Sequence, residues 1–216
     1  MTRPALAQLQ LALDVPQTSD ALRICEQVSP HFDIAEIGTP LLIEDGLAAL
    51  EAVKTSFPGK EYLADTKIAD AGYIEAASAF RRGASIATVL AVADNRTIEG
   101  ALEAAREFSC EIMADLMHVP ERLERARELE ALGVPIICLH TAYDIQDTGV
   151  DPMADLLSLR AALSCRLAIA GGLTIENVGR AAALGADIVV VGGGIITQPS
   201  PRHVAKRIHE AIKADG

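Results

Sequence analysis

The segment Glu61-Tyr62-Leu63-Ala64-Asp65-Thr66-Lys67-Ile68-Ala69-Asp70 joins a short apolar strand to a dense group of charges. In a strand the side chains of residues i and i+2 lie on one face, so Asp65 and Lys67 are predicted to point the same way. Asp70 lies beyond the predicted strand end, free to reach back or to reach a neighbour. Close anions favour the protonated amine, so Lys67 is predicted to be cationic. A fixed cation beside carboxylates can stabilise an enolate or enediolate as it forms, whereas the alternative is a solvated charge cluster in a loop.

Short apolar runs of this kind recur eight times, and each is followed by a stretch of helical period. Runs without polar alternation are typical of a parallel sheet that is covered on both faces. Eight such units, about 25 residues apart, fit a closed barrel better than an open doubly wound sheet. We therefore predict an α/β fold, a single (β/α)8 TIM barrel domain over residues 1–216. The predicted strands are Leu9–Leu13, Ile34–Ile37, Glu61–Ala64, Ser85–Leu90, Glu111–Asp115, Pro135–Leu139, Arg166–Ala170 and Asp187–Val191.

The predicted helices fill the intervals between these strands. Gly83, Gly133 and Gly185 each follow a predicted helix, where a residue of left-handed backbone is favoured. Thr174 and the run Thr18-Ser19-Asp20 are candidate N-caps. The predicted helices are Ser19–Val28, Glu44–Thr55, Ile74–Arg82, Thr97–Phe108, Pro120–Leu132, Met153–Leu163, Ile175–Leu184 and Pro201–Ala214.

Composition narrows the functional classes. The formal net charge is -11 and no basic run is present, which argues against nucleic-acid binding as the main role. The four cysteines are widely separated and form no CxxC pair, so we expect reduced thiols in a cytoplasmic protein and no zinc site. No run approaches the ~20 apolar residues that a membrane span needs. The segment Ala5–Val15 is interpreted as a strand, not as a signal peptide.

Polar residues collect at the carboxyl ends of the predicted strands. In a barrel these ends meet at one rim, where the active sites of (β/α)8 enzymes lie. Such a consistent preference for one end predicts an active site. The residues at these ends are Asp14, Glu36, Asp65, Lys67, Asp115 and His140, followed by the stretches Gly171-Gly172 and Gly192-Gly193-Gly194.

The carboxylates at this rim predict a metal site. Glu36 and Asp65 come from adjacent strands, and with Asp14 nearby the three anions would repel one another unless a cation lay among them. Oxygen ligands without cysteine or clustered histidine favour Mg²⁺ over zinc. We therefore predict that Glu36 and Asp65 bind Mg²⁺ and leave positions open for substrate oxygens.

His140 directly follows the sixth predicted strand. A lone histidine after a strand is often structural. Opposite a metal-bound substrate, however, a side chain that titrates near neutrality can act as a proton shuttle, and we assign that role to His140.

The two glycine stretches predict a phosphate site. Glycines let main-chain N–H groups approach an anion, and loops after strands seven and eight of such barrels commonly bind phosphate. Tight turns alone are the alternative explanation. The run Gly192–Thr197 lacks the spacing of a dinucleotide fingerprint, so no nucleotide cofactor is expected.

These motifs together resemble the orotidine 5′-phosphate decarboxylase suprafamily and, within it, the 3-hexulose-6-phosphate synthases. The resemblance extends over essentially the whole chain. The motifs that carry it are Leu11–Asp14, Glu36–Pro40, Leu63–Gly72, His140–Gln146, Ala170–Gly172 and Val191–Gly194.

The resemblance implies a Mg²⁺-dependent, dimeric ribulose-phosphate-binding barrel. Such enzymes join D-ribulose 5-phosphate to formaldehyde in an aldol reaction, giving D-arabino-hex-3-ulose 6-phosphate through a metal-stabilised enediolate. The second aspartate of the lysine motif typically enters the partner subunit's site, which implies a homodimer. The implied roles are metal binding for Glu36 and Asp65, participation in the polar catalytic group for Asp14, Lys67 and Asp70, proton transfer for His140, and phosphate binding for Gly172, Gly193 and Gly194.

Three alternatives remain open. A 3-keto-L-gulonate-6-phosphate decarboxylase shares the metal site, but usually carries arginine three residues after the histidine and after the last glycine pair. Here these places are Tyr143 and Ile195, which favours the synthase. A ribulose-phosphate epimerase is less expected because only His140 lies at the correct end. A phosphosugar-binding barrel without catalysis would bind its ligand unchanged.

Overall fold

The computed structural model describes residues 6–148, 151 and 153–213. Its eight strands are all parallel and close into a barrel in sequence order, with β8 paired to β1. The predicted (β/α)8 barrel is therefore confirmed. The strands are β1 (Gln8–Leu13), β2 (Ile34–Ile37), β3 (Glu61–Ile68), β4 (Ile86–Leu90), β5 (Glu111–Asp115), β6 (Ile136–His140), β7 (Arg166–Ala170) and β8 (Ile188–Val191).

Helices surround the barrel. In the described ranges none of them is long and apolar enough to cross a membrane. Two short 3-10 turns, Ser29–His31 and Tyr143–Thr148, lie in the connections. The helices are α1 (Thr18–Val28), α2 (Thr39–Asp45), α3 (Ala48–Ser56), α4 (Gly72–Arg81), α5 (Asn95–Phe108), α6 (Arg122–Leu132), α7 (Leu156–Ala162), α8 (Val178–Ala183), α9 (Gly193–Ile196) and α10 (Pro201–Lys213).

The two faces of the strands pack into two separate apolar cores. Leu9, Leu11 and Leu13 face the helices in the larger core. Ile34, Leu63 and other inward side chains form a second, smaller core inside the barrel. Because strand side chains alternate, the residues two positions beyond this inner core also point into the barrel, at its carboxyl end. The inner core thus closes the barrel beneath the predicted site.

Strand β3 is longer than predicted. It continues through Ile68, and its pairing with β4 changes register between Ala64 and Ile68. The Thr66 hydroxyl donates to the Thr88 carbonyl (3.0 Å), and the Lys67 N–H donates to Thr88 Oγ1 (2.8 Å). These two bonds hold the charged segment along β4, whereas the apolar pattern by itself ended the strand at Ala64.

Several predicted helix bounds were wrong. The single helix predicted over Glu44–Thr55 is divided at Gly46, whose φ of 65° interrupts the helical backbone. Thr174 does not cap a helix, since α8 begins at Val178 and the Thr174 N–H donates to the Asn177 side chain (2.8 Å). The helices predicted from Pro120 and Met153 begin later, at Arg122 and Leu156, and the predicted end at Ala214 lies outside the described residues.

The predictions for glycines that follow helices and for the cysteines agree with the structure. Gly83, Gly133 and Gly185 all have positive φ, as predicted for residues that follow a helix. All four cysteines are free thiols. The candidate cap Thr18 instead begins α1 and bonds through its hydroxyl to Asp45 (2.6 Å).

Candidate active site

The centre of the site is the pair formed by Asp65 and Lys67 on β3. The Lys67 ammonium donates to Asp65 Oδ2 and to Thr39 Oγ1, the latter at 2.9 Å. Asp65 also accepts hydrogen bonds from Thr39 Oγ1 at Oδ2 (2.7 Å) and from Thr88 Oγ1 at Oδ1 (2.9 Å). Both carboxylate oxygens are therefore bonded, and the pair on β3 is fixed by Thr39 at the start of α2 and by Thr88 on β4.

The backbone at Lys67 is itself unusual. Its φ is 46°, in the left-handed region that residues with a side chain rarely adopt. Such a conformation costs of order 1–3 kcal/mol and persists only where the surroundings fix it. Here the hydrogen bond from the Lys67 N–H to the Thr88 hydroxyl helps to fix it. The strained residue is therefore the one whose ammonium enters the site.

Electrostatics hold this pair ionised. Burial disfavours the charge on Asp65, but Lys67 and the hydrogen bonds from Lys67, Thr39 and Thr88 outweigh it and lower the pKa of Asp65. Burial likewise opposes the charge on Lys67, but Asp65 and then Glu36 and Asp115 raise the pKa of Lys67. The predicted cationic state of Lys67 is thus supported by its surroundings.

Glu36 is the least stabilised carboxylate of the site. It is buried on β2, and its Oε2 accepts a hydrogen bond from Gln10 Nε2 at 2.6 Å. Burial, followed by the charges of Asp65 and Asp14, raises the pKa of Glu36 to about 8. A carboxylate in this position would gain greatly from an additional cation.

Asp14 lies at the rim above these groups. A Cβ atom at Gly38 would lie 2.1 Å from Asp14 Oδ1, so the carboxylate would have to move if this glycine after β2 were replaced. Asp14 keeps an exposed side, but desolvation by the surrounding protein and then the charge of Asp65 raise its pKa, while Lys67 and His140 oppose the rise. These mutual effects place Asp14, Asp65, Lys67 and His140 in one electrostatic cluster.

The donor set fits a hard divalent cation. In the part of the chain that the structure describes, no three His, Cys, Asp or Glu side chains lie close enough to hold a metal ion. Mg²⁺, however, is usually bound through one or two carboxylates, with water and substrate oxygens completing its shell. Glu36 and Asp65 would supply two such ligands, and the charges of Asp14 and Asp65 already act on Glu36 beside the ammonium of Lys67. The residues are therefore compatible with Mg²⁺.

Asp115 and His140 form a second pair at the same rim. His140 Nδ1 lies 2.7 Å from Asp115 Oδ2, and Asp115 Oδ1 accepts the Met117 N–H at 2.8 Å. Because a carboxylate only accepts, this contact places a proton on Nδ1 and leaves Nε2 as the nitrogen that can exchange a proton with substrate. Asp115, which the sequence predicted only as one of the polar residues at this rim, thus orients His140.

The two glycine stretches meet at one side of the rim. A Cβ at Gly194 would lie 2.4 Å from the Leu173 carbonyl oxygen, and one at Gly171 would lie 2.1 Å from that of Thr141. Gly171 and Gly172 also have positive φ, at 92° and 69°. Around Gly193, by contrast, the corresponding space is open. Close packing thus requires Gly171 and Gly194. In α9 the N–H groups of Ile195 and Ile196 donate to the Gly192 carbonyl (2.8 and 3.0 Å), whereas the first two amides of a helix, here Gly193 and Gly194, have no acceptor within it.

Asp70 does not join the cluster of its own chain. It is exposed, and its Oδ1 accepts the N–H of Ala71 at 2.7 Å. The other predicted site residues, from Asp14 to His140, lie on the inner face or carboxyl rim of the barrel. The role of Asp70 in a partner's site stays a prediction.

Three residues of the site had no predicted role. Thr39 and Thr88 bond to Asp65, and Gln10 bonds to Glu36. Thr88 is the polar residue at an inward position of β4, a strand that supplies none of the predicted site residues. A search for polar residues at inward positions, not only at strand ends, would have found Thr88 and Gln10.

Together the fold and this site define a (β/α)8 barrel of enzymatic type, with a carboxylate–lysine centre and a histidine at the carboxyl rim. The family model described as the orotidine 5′-phosphate decarboxylase / HUMPS family matches residues 7–208. The chain belongs to this family, as the resemblance predicted.

Curated and solved relatives agree with this assignment. The chain is 37% identical to the 3-hexulose-6-phosphate synthase of Bacillus subtilis over 206 residues, covering 95% of this chain and 98% of that protein. The crystal structure of 3-hexulose-6-phosphate synthase from Salmonella typhimurium has a TM-score of 0.94 at 36% identity, covering 97% of this chain and 100% of that one. A crystal structure of KGPDC from Streptococcus mutans has a TM-score of 0.90 at 25% identity, covering 97% of this chain and 99% of that one. These relatives are named as enzymes, which confirms the expectation that the chain is an enzyme.

Proposed function

We propose that the protein is a 3-hexulose-6-phosphate synthase, which joins D-ribulose 5-phosphate and formaldehyde to give D-arabino-hex-3-ulose 6-phosphate. The observation that carries the proposal is the arrangement of two oriented pairs, Lys67 with Asp65 and His140 with Asp115, at one rim. A cation and a proton-transfer group facing one space are what enediolate chemistry needs. The names of the relatives supply the product, a 3-hexulose 6-phosphate, and the family resemblance implies the two substrates.

Each group of residues has its own role in the proposed reaction. The N–H groups around Gly172, Gly193 and Gly194 bind the substrate phosphate and direct the sugar toward β6. Nε2 of His140 removes a proton from C1, and Asp115 stabilises the imidazolium that results. Lys67 stabilises the negative charge that develops on the enediolate oxygen. The enediolate carbon then attacks the carbon of formaldehyde, and the formaldehyde oxygen takes the proton from the His140 imidazolium as its C=O double bond becomes a single bond. Asp14, at the rim, contributes to the polar wall around the reacting carbons.

Glu36 and Asp65 would hold Mg²⁺. When bound, the ion supplies positive charge that polarises the substrate carbonyl and neutralises the carboxylate cluster. Protein stripped of metal by a chelator should lose activity and regain it on addition of Mg²⁺. Full activity in excess chelator would remove the ion from the mechanism.

The second candidate is the 3-keto-L-gulonate-6-phosphate decarboxylase, abbreviated KGPDC. The KGPDC structure has nearly the same fold, and the same kind of intermediate could follow loss of CO₂. Two positions argue against it. Tyr143 is 86% exposed and Ile195 is fully buried, at the places where that relative usually carries arginine. Neither position presents a cation to the substrate.

A direct assay separates these functions. The protein is incubated with Mg²⁺, D-ribulose 5-phosphate and formaldehyde, and loss of formaldehyde is followed; a parallel reaction with 3-keto-L-gulonate 6-phosphate reports CO₂. We expect formaldehyde loss and little CO₂. Release of CO₂ alone would assign the decarboxylase, and binding of the phosphosugar without turnover of either substrate would assign a non-catalytic barrel.

We further propose a homodimer in which Asp70 enters the partner's site. Asp70 is exposed at the rim, and two apolar side chains, Ile74 on α4 and Val92 after β4, are 66% and 55% exposed. A second copy that covered them would bring its own Asp70 toward this site.

Subunit complementation tests the shared site. Asp70→Ala and Lys67→Ala are expected to be nearly inactive separately, but mixed subunits should regain activity because one of the two sites in a mixed dimer is intact. A mixture no more active than its components, or a monomer in sedimentation, would contradict the shared site.

A further inference from the structure

Gln10 is the most unusual polar residue inside the barrel. It lies on β1 between Ile34 of β2 and Val190 of β8, and is 1% exposed. Its Oε1 is the one buried side-chain nitrogen or oxygen without a hydrogen-bond partner in the described part of the chain. The neighbours on both strands are apolar and belong to the inner core.

An apolar side chain would suit this position better than a carboxamide. A buried acceptor that makes no hydrogen bond destabilises the folded state, because it loses its bonds to water. A side chain such as methionine would fill the same space without that cost. The reason for a carboxamide at this position must therefore lie in its other polar atom, Nε2.

The other end makes one bond, to Glu36. Gln10 Nε2 donates to Glu36 Oε2 at 2.6 Å, from the side of the barrel floor. An N–H donor favours the ionised carboxylate and fixes its orientation. The bond occupies Oε2, so Oε1 is the oxygen of Glu36 that this contact leaves free for a ligand.

We propose that Gln10 is a positioning residue, which holds the Glu36 carboxylate in the orientation that binds a divalent cation. The inference rests on the proposed function, since Glu36 is a metal ligand only there. Residues that orient a metal ligand from behind typically affect metal affinity or activity by about 10- to 100-fold.

The chain supplies a matched control. Gln8 lies two residues earlier on the same strand, and its Nε2 donates to Glu61 Oε1 at 3.0 Å, at the opposite end of the barrel. Gln8→Met and Gln10→Met therefore remove the same type of bond, but only the second removes it from the site. Gln10→Asn is a further variant, which retains the amide but is too short to make the bond.

The experiment measures Mg²⁺ binding by calorimetry on metal-stripped proteins, together with thermal melting in chelator and steady-state kinetics. We expect the dissociation constant for Mg²⁺ to rise about 10- to 100-fold in Gln10→Met and Gln10→Asn and to stay unchanged in Gln8→Met. At saturating Mg²⁺ the KM for D-ribulose 5-phosphate should return to within about twofold of the wild-type value, because the phosphate site is not altered.

The possible failures are distinguishable. Wild-type affinity for Mg²⁺ in both Gln10 variants would overturn the positioning role and leave the proposed metal site in place. A wild-type protein that binds no Mg²⁺ would overturn the metal site and this inference together. Loss of the folded state in both Gln10 variants would overturn the inference too, since it would show that Gln10 holds the barrel together.

Discussion

The two ends of the barrel interior use similar side chains in different ways. At the amino end, Glu61 accepts a hydrogen bond from Gln8, and Glu111 is paired with Arg166. At the carboxyl end, Asp14, Glu36 and Asp65 share one ammonium, that of Lys67. At the amino end each carboxylate thus has its own partner, a neutral amide for Glu61 and a cation for Glu111, whereas at the carboxyl end negative charge is in excess. Perturbed pKa values at the second end are therefore the sign of a site, not of the fold.

The largest effect should come from Lys67→Met. This change removes the cation that stabilises developing negative charge, so we expect turnover to fall by about 10³-fold or more with the fold retained. Steady-state kinetics and circular dichroism would measure both. Lys206→Met, on the exposed face of α10, is the control and should be fully active. Retained turnover in Lys67→Met would show that the excess charge at this end is not catalytic.

His140→Asn should have the next largest effect. Removal of the proton-transfer group is expected to lower kcat by about 10²-fold or more, while the KM for the phosphosugar changes little. Asp115→Asn should lower kcat less, because Nε2 is still present but less well oriented. The control is His203→Asn on α10, an exposed residue. Equal activity of the His140 and His203 variants would exclude His140 as the base.

Glu36 should give metal-free protein a pH-dependent stability. Its pKa is about 8 in the folded protein against 4.5 for the free side chain, so between these values the folded state binds the proton more tightly. The free energy of unfolding should therefore fall as pH rises through this window, by at most about 1.4 kcal/mol per pH unit from this group.

Urea unfolding in chelator at several pH values would measure this slope. Glu36→Gln should flatten it, whereas Glu61→Gln at the amino end should not. Equal slopes in wild type and Glu36→Gln would remove Glu36 as its source.

The smallest effect should come from the amino end itself. Arg166 and Glu111 are 33% and 40% exposed, so their ion pair is partly screened by solvent. We expect Arg166→Met to change the free energy of unfolding by about 1 kcal/mol or less and to leave kcat unchanged. Thermal melting and the formaldehyde assay would report these quantities. A loss of activity comparable to that of Lys67→Met would show that the two ends are not separate in function.

The sequence by itself determined the barrel and most of the rim. Apolar runs and the spacing of strands are local properties, and they placed Asp14, Glu36, Asp65, Lys67, Asp115 and His140 at the carboxyl end. Glycines after helices were predictable for the same reason, because a positive φ is a property of one residue. Helix bounds at Gly46 and Thr174 were wrong because local propensity does not fix where a helix packs.

Only the tertiary structure decided how these groups are paired. Thr88 bonds to Asp65, Gln10 to Glu36, and Asp115 to His140, across 23, 26 and 25 residues of sequence. Each pair joins neighbouring strands, so it depends on the register between them, and a shift of one residue would turn every side chain to the other face. That register, and the left-handed backbone at Lys67, result from the packing of the whole barrel. No short segment of the chain contains them.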